Sequence, residues 1–82
     1  MKLAAIKKAV TSYVNALKRD ELKVQFRIVR GALDDVMDNK DAFHLEQLAD
    51  LLFEMKHSPE YSQSEKTLKL LDSALSEVDK ER

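Results

Sequence analysis

Few side chains in this sequence are of a type that does covalent or metal chemistry. The histidines are His44 and His57, and the 82 residues include no cysteine. Neither histidine belongs to a His-Glu-x-x-His metal motif. His44 falls on the flank of an apolar helical pattern and reads as a structural residue. His57 falls just past that pattern, where an imidazole reaches the last carbonyls of a helix. Without cysteine, thiolate zinc sites and disulfides are excluded.

Carboxylates cluster at Asp34, Asp35, Asp38 and Asp41. A calcium loop needs oxygen ligands at alternate positions, a glycine at its turn and a closing glutamate. Here the glycine is missing and Ala49 stands where the glutamate would be. The cluster therefore reads as a helix end followed by the cap of the next helix. Acid–base work by paired carboxylates needs a cleft, for which a small helical domain has little room. No glycine-rich phosphate loop is present. The expectation is a non-enzymatic protein with no catalytic residue, no metal site, no cofactor and no small-molecule substrate.

Charge is more informative. Residues 1–30 carry eight basic side chains against two acidic ones, net +6, whereas residues 31–82 carry six against thirteen, net −7. One reading is internal complementarity, in which basic helices lie beside acidic ones; Arg30 and Asp34, spaced i,i+4, illustrate it. The other is a docking surface. Lys23, Arg27 and Arg30 share one flank of a helix at i, i+4 and i+7, with Val24 and Ile28 beside them. Lys7, Lys8, Lys18 and Arg19 extend that flank if the first helix lies alongside.

A basic flank suits an acidic protein surface or phosphates. No aromatic residues interleave with these cations as base-stacking platforms would require. Glu46, Asp50 and Glu54 on the third helix would repel phosphate. Nucleic acid is thus the second expectation, behind a protein partner. The first helix is basic and amphipathic, but Tyr13 is its only aromatic residue, so a core-facing seam is expected over membrane binding.

Elements must position these residues, and composition limits what they are. There is a single glycine, Gly31, a single proline, Pro59, and 35% of residues are charged. That mix favours helices over short strands with many turns. The expected fold is all-α: a small antiparallel bundle of three to four amphipathic helices forming one domain over residues 1–82. Helices are expected at about 2–18, 20–38, 41–56 and 63–78. Their core stripes are Leu3, Ile6, Val10, Tyr13 and Leu17; Leu22, Phe26, Val29, Leu33 and Val36; Leu45, Leu48, Leu52 and Met55; and Leu68, Leu71, Leu75 and Val78.

Ala9 and Ala16 suggest a close helix approach, and Gly31 suggests close backbone packing. Asp20 and Asp41 are expected N-caps. Ser62 and Glu65 have capping-box spacing. No Gly or Pro separates Lys18 from Glu21, so residues 2–38 also allow one continuous helix, which would require an oligomer. Ala49, Leu51 and Phe53 widen the third stripe and mark that helix as the most buried.

No apolar run reaches the ~18 residues of a membrane span. Lys7 and Lys8 interrupt any signal-peptide core, so a cytoplasmic protein is expected. Surplus apolar residues beside the stripes (Val24, Ile28, Leu51, Phe53, Leu70) point to a protein partner or a homodimer.

Overall fold

The computed structural model describes residues 3–61 and 64–81. They form four helices: α1 (Leu3–Ala16), α2 (Asp20–Asn39), α3 (Ala42–His57) and α4 (Glu65–Glu81). Each packs on its neighbours in sequence and α1 closes the ring against α4, while no diagonal pair approaches. With such short connectors this is an up-down antiparallel bundle of 33 × 22 × 17 Å. Among the described residues, no helix is long and apolar enough to cross a membrane.

The core is one cluster drawn from all four helices. Leu3, Val10 and Val14 come from α1, and Phe26, Val29, Leu33 and Val36 from α2. Leu45, Leu48, Ala49, Leu52 and Met55 come from α3, and Leu71, Ala74 and Val78 from α4. The Tyr13 ring packs on Phe26 with centroids 5.0 Å apart, and its hydroxyl is hydrogen-bonded to that of Thr67.

Residues 2–38 are not one continuous helix. At 100° per residue, the expected α1 and α2 stripes would point about 140° apart on an unbroken rod. Leu17–Arg19 resets that phase and lets both stripes face one core. The Leu17 N–H is shared between the Tyr13 and Val14 carbonyls at 3.1 and 3.2 Å, and Arg19 is extended. Burial thus breaks the helix where no Gly or Pro marks the break.

Other boundaries follow local chemistry. Asp20 is not the cap of α2. Arg19 holds that position without a side-chain hydrogen bond, and Asp20 and Glu21 lie in the first turn, where the helix dipole favours carboxylates. Asp41 does cap α3, accepting from the His44 N–H at 2.9 Å. Lys40 turns the chain in the left-handed region, φ 53°, and donates its N–H to Val36. Helix α3 ends at His57, before Pro59, and the Tyr61 N–H then closes a turn on the Ser58 carbonyl. The expected Ser62–Glu65 capping box involves Ser62, which lies outside the described residues, as do Lys2 and Gln63, the expected starts of α1 and α4.

Several packing expectations are corrected. In α4 the innermost residues are Thr67, Leu71, Ala74 and Val78, while Leu68 and Leu75 are half-buried. The helix is rotated so that its small residues face inward and its leucines cover the flanks. In α1, Val14 is buried, Ile6, Tyr13 and Leu17 are half-buried, and Ala9 and Ala16 are exposed. Leu22 of α2 is likewise half-buried. Nothing lies within 4 Å of where a Gly31 Cβ would be, so no neighbouring backbone requires that glycine.

Candidate functional site

The outer face of α2 carries the residues that sequence singles out. Helical periodicity puts Val24, Ile28 and Gly31 on one outward line, at i, i+4 and i+7. Val24 is 56% and Ile28 51% exposed. Arg27 is exposed, whereas Lys23 and Arg30 are half-buried along the side of the helix. The five residues lie within two turns of one rigid helix, so the arrangement is fixed before any partner arrives.

The expected Arg30–Asp34 pair is absent. Asp34 is taken by Lys7 of α1, which holds α1 beside α2 and removes Lys7 from the free cations. Arg19 sits 3.8 Å from Glu21. Among the described residues, no carboxylate comes within ion-pair distance of Lys23, Arg27 or Arg30. Internal complementarity therefore operates at specific seams: Lys7–Asp34 joins α1 to α2, and Lys56–Asp72, at 2.7 Å, joins α3 to α4. All four side chains are partly solvated, so each pair contributes under about 1 kcal/mol. The three α2 cations are left over.

A second surface was legible only in part. Helix α3 is not apolar all round. Phe53, which seemed to widen its core arc, is 55% exposed, and Phe43 is 63% exposed. Both share the outward side with Glu46, Asp50 and Glu54, all exposed. Phe43 carried no expectation. Its spacing from Glu46, Gln47 and Asp50, at i+3, i+4 and i+7, is the signal that would have placed it on the polar side. Phe53 stacks on the His57 ring with centroids 4.4 Å apart.

The histidines are locally engaged. His44 Nδ1 lies 2.6 Å from Asp41. The His44 backbone N–H, and then its side chain, hold the Asp41 carboxyl below its ordinary range. Among the described residues, no group of three or more His, Asp or Glu gathers to hold a metal ion. A groove of about 560 Å³ lies between α1 and α4, lined by Ala9, Ser12, Tyr13, Ala16, Leu17 and Leu70, with Lys66 at its edge. Exposed Ala9 and Ala16 form this groove; they do not admit a helix.

The chain matches no known protein family, and no curated protein or solved structure is significantly similar to it.

Proposed function

We propose that this chain is a non-enzymatic helical interaction protein that presents the outer face of α2 to a protein partner. One observation carries the reading. Val24 and Ile28 are more than half exposed on a rigid helix, beside Lys23, Arg27 and Arg30, which have no carboxylate partner among the described residues. Apolar side chains flanked by uncompensated cations are the composition of an interface, with an apolar centre and a charged rim. A partner of this face is apolar with acidic edges. A non-enzymatic role draws further support from the histidines, both held in local contacts of α3. A cytoplasmic location belongs to the same proposal, in keeping with the absence of cysteine.

The test compares the wild-type chain with a Val24→Ser/Ile28→Ser variant as baits in a lysate of the source cells. The expected result is a partner held by wild type and lost by the variant at equal helicity. Equal capture by both rejects the α2 face. A heparin column run across a salt series tests the nucleic-acid alternative on the same residues. Three phosphate contacts would give a log–log salt slope of about −3, and no retention at low salt removes that alternative.

A further inference from the structure

We propose that α2 packs antiparallel on the same helix of a second copy of this chain, about a two-fold axis passing beside Gly31. The inference rests on the reading of α2 as a docking surface and names its occupant. The order of charges along the outward face carries it. At 100° per residue, Val24, Arg27, Gly31, Asp35 and Asp38 fall within about 40° of one line, opposite the buried stripe of Phe26, Val29, Leu33 and Val36. Lys23 borders that line on the α1 side and Ile28 on the α3 side. The basic groups, Lys23 and Arg27, precede Gly31, and the acidic ones, Asp35 and Asp38, follow it. Among the described residues, none of these four has an opposite charge within ion-pair distance. Arg30 points furthest toward α1 and Asp34 is held by Lys7, so neither is called on. One helix face thus carries two unspent halves of opposite sign.

Such a face is complementary to itself only when the two copies run antiparallel; in a parallel pair each charge meets its own kind. Arg27 and Asp35 are each four residues from Gly31, and Lys23 and Asp38 are eight and seven. A two-fold axis perpendicular to the helix at Gly31 sets Arg27 level with Asp35 of the partner subunit. It sets Lys23 within one residue's rise, about 1.5 Å, of Asp38 of the partner subunit. Symmetry makes each pair twice. No atom lies within 4 Å of where a Gly31 Cβ would be, so the two backbones can approach at the axis and Ile28 can lie over Gly31 of the partner subunit. Packing within the monomer does not require a glycine there, whereas a close helix crossing does. Val24 and Ile28, more than half exposed, lose solvent in the same contact. Helix α2 occupies a corner of the ring, packed on α1 and α3 but not on α4. The neighbouring helices of both copies therefore fall away, and the contact is one helix on one helix. That is smaller than a standard interface, and the dimer it makes is weak and reversible.

Charge reversal at Lys23 and Asp38 tests this without disturbing the fold. Lys23→Glu puts an anion near the start of α2 and Asp38→Lys puts a cation near its end, each where the helix dipole favours it. In a Lys23→Glu homodimer both outer pairs become Glu against Asp, and in an Asp38→Lys homodimer both become Lys against Lys. In the mixed dimer of the two variants both pairs are again opposite in sign. Sedimentation equilibrium from micromolar to millimolar concentration is expected to show a reversible monomer–dimer equilibrium for wild type. Each single variant should dimerise about 10-fold more weakly, and an equimolar mixture should recover most of that loss. A wild-type chain that stays monomeric throughout, single variants that dimerise as wild type does, or a mixture no better than its components would each overturn the proposal. The wider reading of α2 is judged separately. A chain that stays monomeric, yet loses a captured protein in the Val24→Ser/Ile28→Ser variant, keeps that reading and removes the dimer.

Discussion

The two sides of α2 differ more than their residue types do. Facing inward, Phe26, Val29, Leu33 and Val36 are all 1% exposed or less. Facing outward, Val24 and Ile28 are more than half exposed, and Gly31 has empty space beside it. Valine appears on both sides, and isoleucine is as apolar as leucine. Burial therefore follows from what packs opposite, not from the side chain's own character. The inward side has four apolar residues repeating over three turns, enough to pack against α1 and α3 and join the shared core. The outward side has two, with cations along one flank, too few to make a core. One side holds the fold together while the other stays available.

The largest expected difference between the two sides is Phe26→Ala. The ring is fully buried and packs on Tyr13, so truncation leaves a cavity and costs about 3–5 kcal/mol. That is most of the stability of a domain this small. Urea unfolding followed by helical circular dichroism measures it. A loss under about 1.5 kcal/mol would mean that the inward side is no better packed than the outward one.

The inward side was legible in sequence because periodicity reports on neighbours indirectly. Four of the five residues expected in the α2 stripe are buried, with Leu22 at the margin. The same rule placed Leu45, Leu48, Leu52 and Met55 correctly. It failed where size outweighed hydropathy: Thr67 and Ala74 displaced Leu68 and Leu75 from the centre because small residues let α4 lie close. It also could not choose between one helix and two at Leu17–Arg19, since the break comes from the core and not from a local breaker. On the outward side, the basic flank was visible as spacing. That Arg30 would lose Asp34 to Lys7 was not, because that pair depends on how α1 lies against α2. Phe53 reads as core because it flanks the α3 stripe, although its neighbours on that side, Glu46 and Asp50, are exposed.

Gly31→Ala sharpens the comparison from the outward side. Glycine in a helix interior costs roughly 0.5–1 kcal/mol relative to alanine. A Cβ at this position meets no atom within 4 Å. The substitution should therefore stabilise the monomer by that amount, seen as a higher urea midpoint at unchanged slope. Destabilisation would mean that the outward line is crowded in solution, as it would be if a neighbour already covered it.

The smallest effect, and the most discriminating, belongs to Ile28→Ser. Isoleucine and serine have nearly equal helix propensities, so helix formation hardly registers the exchange. The Ile28 side chain is half exposed and lies outside the core cluster, so little transfer free energy is lost. An exposed substitution of this kind should move monomer stability by no more than about 0.5 kcal/mol, against several for Phe26→Ala two residues earlier on the same helix. Measured at a concentration too low for association, a loss above about 1.5 kcal/mol would place Ile28 in the core and erase the distinction between the sides. With a near-zero loss, any effect of the same substitution on association belongs to the contact itself, because the fold beneath it is unchanged.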